Sequence, residues 1–125
     1  MDVIWAKDAG IDPAKWKMWV CIAPQAGFFL RINSRPSWQP AVRLLRSEHP
    51  FLDHDSYLHC REVVEATPSQ VENAMREQNI PKRRGVVGSV VASLVPEIRS
   101  AIECAETLSD LVREALLSEL PRGPG

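Results

Sequence analysis

The chain has 125 residues, of which 45% are hydrophobic and 25% are charged, and its formal net charge is −1 at pH 7. This length and apolar content fit a single globular domain with one ordinary core. Its longest apolar stretches are interrupted by glycine and serine and fall short of the roughly 20 residues that a membrane-spanning helix requires. We therefore expect one domain over residues 1–120, a disordered tail over 121–125, and no membrane segment.

Cysteine usage and the first residues bear on the cellular compartment. Cys21, Cys60 and Cys104 are odd in number and far apart, unlike the paired cysteines of disulfide frameworks and zinc sites. We expect all three to be reduced thiols. Residues 1–5 lack the basic and apolar stretches of a secretory signal, so we expect a cytoplasmic location.

The first half of the chain has the pattern of short strands. Five runs rich in β-branched, aromatic and leucine residues are each bounded by Gly, Pro, Asn, Asp or Ser, which is typical of strands joined by turns. The predicted strands are residues 3–5, 18–23, 28–33, 42–45 and 56–64. Strands this short and closely linked favour a small antiparallel meander or barrel.

The second half has helical periodicity. Thr67 and Gln70 form a capping box around Pro68, which predicts a helix over residues 68–78. Apolar residues at helical spacing predict a second helix within 91–105, with Ser93 as its N-cap so that Pro96 falls in the first turn. A third helix over 107–120 is predicted to begin at a capping box headed by Thr107, and we expect its leucines to pack in the core rather than in a dimer. The fold class is therefore α+β, a small antiparallel barrel followed by three helices.

Alternation along the third predicted strand divides its side chains between two faces. The apolar face, which we assign to the core, carries Phe28, Leu30 and Ile32. The other face carries an aromatic ring, a guanidinium group and an amide, at Phe29, Arg31 and Asn33, and the matching face of a later strand carries Tyr57 and His59. This mixture suits stacking on bases and binding of phosphates in single-stranded nucleic acid. A packing or dimer surface is the alternative, and such surfaces are the commoner explanation.

Four segments of the chain together resemble one protein family. They are residues 2–5 (DVIW), 17–22 (KMWVCI), 28–34 (FFLRINS) and 52–64 (LDHDSYLHCREVV). In order and character they are similar to segments of the PemK/MazF-like family of toxin–antitoxin proteins, whose fold is a small SH3-like barrel with helices after it. The resemblance implies a homodimer that cuts single-stranded RNA without a metal or other cofactor, and an antitoxin-like protein partner.

The resemblance also implies roles for particular residues. Lys17 stands where the family has an arginine before its second strand, and Asn33–Ser34 stand where it has a Thr or Ser after its third. The candidate catalytic residues are Lys17 and Ser34. Lysine keeps the positive charge but loses the bidentate fork of arginine, so a catalytically weakened relative is the second form of this hypothesis. The candidate RNA-binding residues are Phe29, Arg31, Asn33, Arg35, Tyr57 and His59.

Two charged or polar clusters have both a functional and a simpler explanation. Arg31, Arg35, Arg43 and Arg46 lie in a stretch without an acidic residue. They indicate either a phosphate-bearing partner or a solvated basic surface. The densest set of potential metal ligands is His49, Asp53, His54, Asp55, His59 and Cys60. Adjacent strand residues point to opposite faces, so we expect neither a metal site nor a His59–Cys60 dyad, and we expect Cys60 to pack inward with Leu58.

Tryptophan is concentrated in the first third of the chain, at Trp5, Trp16, Trp19 and Trp38. A barrel this small cannot easily enclose four indoles, and tryptophan is favoured at binding hot spots. The alternative function is therefore a non-enzymatic protein-interaction module that uses this Trp-rich third. Partly exposed indoles that cover the core are an equally good explanation.

Overall fold

The structure of the chain is a computed structural model that describes residues 1–8, 13, 15–36, 39–76 and 85–121. Within these ranges the strands are β1 (Asp2–Asp8), β2 (Lys15–Ala23), β3 (Phe28–Asn33), β4 (Ala41–Leu44), β5 (Ser56–His59), β6 (Val64–Glu65) and β7 (Val86–Ser89). The helices are α1 (Pro68–Arg76), α2 (Val95–Cys104) and α3 (Asp110–Glu119), and a short 3₁₀ turn (Ala92–Leu94) leads into α2.

The strands form one curled antiparallel sheet. Its order is β4-β5-β3-β2-β1-β7. Strands β5 and β6 both pair with β3: β6 pairs with the first residues of β3, and β5 pairs with its last residues. Trp19 on β2 lies opposite both Ile4 on β1 and Arg31 on β3, which fixes the register of the three central strands. This half-barrel followed by helices confirms the predicted α+β class.

The main core lies between one face of the sheet and helices α2 and α3. Helix α2 packs on β4, and α3 packs on β2. The predicted core side chains Phe28, Leu30 and Ile32 are all buried here. Other buried members are Val3, Val20, Val42, Leu58, Ile98, Ile102 and Leu116. The third helix therefore contributes to the core of its own chain, as its leucine spacing predicts.

A second, smaller core lies on the opposite face of the sheet beneath α1. Its buried members are Ile4, Ala6, Trp19, Phe29, Val64 and Ala66. Val71, Ala74 and Met75 of α1 pack against them. The helix begins at the predicted capping box: Gln70 N–H donates to Thr67 Oγ1 at 3.2 Å, and Thr67 N–H donates to Gln70 Oε1 at 2.9 Å. One face of the sheet is thus divided between an apolar part under α1 and a polar part beyond it.

Gly27 sets the approach of the β2–β3 turn to the segment that precedes α1. Its φ of 79° favours glycine, and a Cβ atom here would lie 2.7 Å from the carbonyl oxygen of Ala66. The two backbones are joined by a hydrogen bond of 2.9 Å from Ala66 N–H to Gly27 O.

No helix in the described ranges is both long enough and apolar enough to cross a membrane.

Several predicted boundaries are wrong. The predicted strand over residues 56–64 is divided into β5 and β6, and β7 was not predicted. Ser93 lies inside the 3₁₀ turn and does not cap α2, although Pro96 does occupy its first turn. Ser109, in an extended conformation, caps α3 by accepting from Val112 N–H at 3.2 Å. The Thr107 hydroxyl instead donates to the carbonyl oxygen of Arg61.

Three further predictions fall wholly or partly on residues that the structure does not describe. They concern the last two residues of the predicted first helix, the position of Trp38, and the tail after residue 121.

Candidate functional site

Polar side chains from neighbouring strands lie beyond the α1 contact on the same face of the sheet. We call this group the polar strip, and it comprises Asp8, Lys17, Arg31, Asn33, Tyr57, His59 and the nearby Glu62. Strand alternation places Lys17 two residues from Trp19, and Arg31 and Asn33 two and four residues from Phe29, on one face. The apolar second core therefore continues directly into a polar surface.

Lys17 and Asn33 meet at the end of β3. Lys17 Nζ donates to Asn33 Oδ1 at 3.3 Å, and Tyr57 on β5 lies directly opposite Asn33. All three side chains are half-buried. Burial lowers the pKa of Lys17 from its ordinary value, and the nearby positive charge of Lys15 lowers it further. The structure thus brings together an ammonium, an amide and a phenol that sequence reasoning selected.

Arg31 is held by a buried carboxylate. Its Nε and Nη2 donate to the two oxygens of Asp8, at 2.5 and 3.2 Å, and Trp19 Nε1 donates to Asp8 Oδ2 at 3.0 Å. The hydrogen bond to Asp8 raises the pKa of Arg31. Arg31 lies on the predicted face, but most of its charge is balanced within the fold. One edge of the guanidinium is thus committed to Asp8, and the role of Arg31 as a phosphate ligand stays a prediction.

Glu62 completes this network at the surface. Its Oε1 accepts from Arg31 Nη1 at 3.1 Å and lies 3.9 Å from Nε2 of His59. The side chain of His59 is almost fully buried, whereas that of Glu62 is exposed. His59 and Arg31 therefore lie close together on the predicted face, and both contact Glu62, a residue that sequence reasoning missed.

Phe29 does not belong to the accessible part of the strip. It lies on the predicted face, but only 4% of it is exposed, and its ring contacts that of Trp19 at a centroid distance of 5.7 Å. Helix α1 covers this region. The prediction that Phe29 stacks on a base is therefore wrong for the folded chain, because a buried ring offers no face to a ligand.

Ser34 and the remaining residues of the arginine stretch lie outside the polar strip, at two separate places. Ser34 and Arg35 are exposed in the bend directly after β3. Arg43 Nη2 pairs with Asp55 Oδ2 at 3.0 Å, and Arg46 N–H donates to Asp55 Oδ1 at 2.8 Å. The hydrogen bond from the Arg46 backbone lowers the pKa of Asp55 most, and the hydrogen bond from the Arg43 side chain lowers it further. Within the arginine stretch, Arg31 and Arg43 therefore pair with different acidic residues.

The potential metal ligands are separated by the fold. His49 is fully buried, His54 is exposed in a turn, and Cys60 packs in the main core with Leu58 as predicted. In the described part of the chain, no three His, Cys, Asp or Glu side chains are grouped as a metal site would need. Burial raises the pKa of Cys60 to about 12, so its thiol is inert at neutral pH.

The tryptophans divide into two roles. Trp19 is buried in the second core. Trp5 and Trp16 are half-buried and lie on the opposite face, with near-parallel rings at a centroid distance of 6.2 Å. Neither belongs to the two apolar clusters of the described residues, so this pair extends beyond the core as a partly exposed aromatic surface.

Asp8 and Glu62 are the site residues that sequence reasoning missed. Alternation from Ile4 and Ala6 already places Asp8 on the face of Arg31, and this was the available signal. No comparable signal identifies Glu62, which lies between β5 and β6 outside any strand. No protein-family model matches the sequence, and no match was found among characterised proteins or solved structures.

Proposed function

We propose that this protein acts on single-stranded RNA, as a metal-independent endoribonuclease of the PemK/MazF-like type or as a catalytically weakened relative. The observation that carries the proposal is the junction of Lys17, Asn33 and Tyr57 on three adjacent strands. It combines a cation, an amide and a phenol on one partly exposed surface. Such groups bind phosphates and bases in single-stranded nucleic acid.

The chemistry requires the 2′-oxygen of a ribose to attack the adjacent phosphorus while the bond from phosphorus to the 5′-oxygen breaks. The products are a cyclic phosphate and a 5′-hydroxyl. The 2′-hydroxyl loses its proton to water, and the leaving oxygen takes one from water. Lys17 stabilises the charge that develops on the phosphate oxygens, and the Ser34 hydroxyl donates to one of them.

Weak catalysis follows from the same residues. A lysine ammonium is a point charge and cannot hold the phosphate bidentately as an arginine does. Arg31, whose charge acts on Lys17, donates two hydrogen bonds to Asp8 and one to Glu62. We therefore expect RNA binding to be easier to detect than RNA cleavage.

A pair of lysine variants tests this proposal. Lys17→Ala should weaken binding of a single-stranded oligoribonucleotide and lower the salt slope of the binding constant by about 0.7. Lys7→Ala is the matched control, because Lys7 is exposed on β1 and alternation places it on the opposite face of the sheet. Binding should be measured by fluorescence anisotropy across a salt series, with and without EDTA. Equal effects of the two substitutions, or no binding by the native protein at low salt, would contradict the proposal.

The same proposal includes partners and location. We infer a homodimer that acts in the cytoplasm and is bound by an antitoxin-like protein, as in the family that the four segments resemble. Light scattering at tens of micromolar should give about twice the mass of 14.0 kDa for one chain. A monomer under these conditions would contradict the dimer.

A second candidate function is a protein-interaction module. The Trp5–Trp16 pair favours it, because two half-buried indoles side by side are typical of interface hot spots. If this candidate is correct, Trp16→Ala should abolish capture of a partner by the purified protein, and Lys17→Ala should not. The opposite pattern with an RNA probe favours the first proposal.

A further inference from the structure

The guanidinium of Arg31 has two usable edges, and they meet different carboxylates. Nε and Nη2 form the edge that donates to Asp8. Nη1 lies on the outer edge and donates to Glu62 at 3.1 Å. A guanidinium can donate two parallel hydrogen bonds from each such edge to a carboxylate or a phosphate. Arg31 can therefore keep Asp8 and accept a different anion on its outer edge.

The two carboxylates differ greatly in how firmly they are held. The side chain of Asp8 is 2% exposed, whereas that of Glu62 is 66% exposed. Removing Asp8 from Arg31 would leave a buried charge without its counterion, which is costly. Separating Glu62 from Arg31 costs little, because exposed ion pairs contribute weakly to stability. An incoming anion therefore displaces Glu62 and leaves Asp8 in place.

His59 is aimed at the same position. A single oxygen of Glu62 is 3.1 Å from Arg31 Nη1 and 3.9 Å from His59 Nε2, so it contacts the first closely and the second only loosely. A tetrahedral phosphate presents several oxygens and can serve both groups at once. The Glu62 carboxylate thus occupies the position of an anion ligand less well than a phosphate would.

We propose that Arg31 Nη1 and His59 Nε2 form a phosphodiester subsite that the exposed carboxylate of Glu62 covers in the ligand-free protein. This inference rests on the proposed action on RNA for its natural ligand. The subsite lies on the polar strip with Lys17 and Asn33, so the phosphates of one strand bind at two places. Glu62 acts as an internal competitor that lowers RNA affinity.

The test removes the competitor and compares it with a matched loss of charge. Glu62→Ala should bind a single-stranded oligoribonucleotide roughly threefold more tightly than Glu65→Ala, by the usual strength of an exposed ion pair. Glu65 is exposed three residues later and carries the same charge, so it corrects for the change in net charge. Glu62→Gln, which keeps the side-chain size, should shift affinity in the same direction and serves if the alanine variant folds poorly.

Inorganic phosphate provides a readout that does not depend on RNA. In Glu62→Ala, phosphate should shift the NMR signals of the His59 ring and the Arg31 guanidinium, and in Glu65→Ala it should shift them less. If these shifts occur while no variant binds RNA, the subsite stands and the proposed function fails. If phosphate leaves the signals of both Glu62 variants unchanged, the subsite is overturned, whatever the RNA result.

Discussion

His49 Nε2 accepts a hydrogen bond of 3.2 Å from the backbone N–H of Val91. The other ring nitrogen, Nδ1, donates to the carbonyl oxygen of Leu45 at 2.8 Å. The imidazole is fully buried and packs edge-on against Phe51. It therefore joins the turn after β4 to the segment that leads into α2, which gives a structural role to a histidine that the sequence places among the potential metal ligands.

This relationship predicts a large loss of stability on substitution of His49. His49→Ala should lower the free energy of unfolding by about 2–4 kcal/mol, because a fully buried ring is removed and two part-buried backbone groups lose their partner. His54→Ala is the control, since His54 is exposed and its hydrogen bonds stay within its own turn. Urea denaturation measures both. Similar losses for the two variants would contradict the structural role of His49.

The Arg31–Asp8 pair should be essential to folding. Arg31→Ala should lower the free energy of unfolding by about 3–5 kcal/mol, because it removes the guanidinium that donates two hydrogen bonds to the buried Asp8 carboxylate. Arg43→Ala, which breaks the exposed pair with Asp55, should have a much smaller effect.

A double variant makes this prediction more specific. Adding Asp8→Asn to Arg31→Ala should recover part of the lost stability, since the buried negative charge that Arg31 balances is then removed. A double variant less stable than Arg31→Ala would show that charge burial is not the cause. RNA-binding tests should for this reason use Lys17 and Glu62 rather than Arg31.

The buried thiol of Cys60 predicts that the free energy of unfolding decreases at alkaline pH. Its pKa is raised from the ordinary 9.0 to about 12, chiefly by burial. Between these values the unfolded chain has lost the thiol proton and the folded chain retains it, so stability falls as pH rises. The slope is about 1.4 kcal/mol per pH unit for this group. Denaturation of the native protein and Cys60→Ala across this window should show a steeper fall in the native protein, and parallel curves would contradict the prediction.

Much of the sheet was predictable because the alternation of side chains within a strand can be read from a few consecutive residues. Alternation along β3 correctly assigned Leu30 and Ile32 to the core and Arg31 to the other face. It failed for Phe29 because both faces of the sheet are covered at that point, one of them by α1. Whether a helix lies over a strand depends on tertiary packing, and the period of the strand itself does not report it.

The polar strip shows a second limit. Lys17, Asn33 and Tyr57 were selected from sequence and do lie together. The Arg31–Asp8 pair joins residues 23 positions apart and depends on the register of three strands. The strand β7 was missed because its Val-Val-Gly-Ser run is short and precedes an apolar helical pattern. The predicted cap of α3 was Thr107, but the hydroxyl of Thr107 donates to the Arg61 carbonyl, which is distant in sequence. Ser109 caps the helix instead.

The lowered pKa of Lys17 predicts how RNA binding responds to pH. Burial and the neighbouring Lys15 favour its neutral form, so Lys17 loses its charge at a lower pH than an ordinary lysine. If this charge contacts phosphate, affinity should fall as pH rises toward the ordinary lysine range, and the salt slope should fall with it. Lys17→Arg should remove this pH dependence, because arginine stays charged throughout. A 2′-O-methyl oligonucleotide, which resists alkaline cleavage, allows anisotropy to be measured across the range. An identical decline in native protein and Lys17→Arg would assign the effect to another group and remove Lys17 from the binding site.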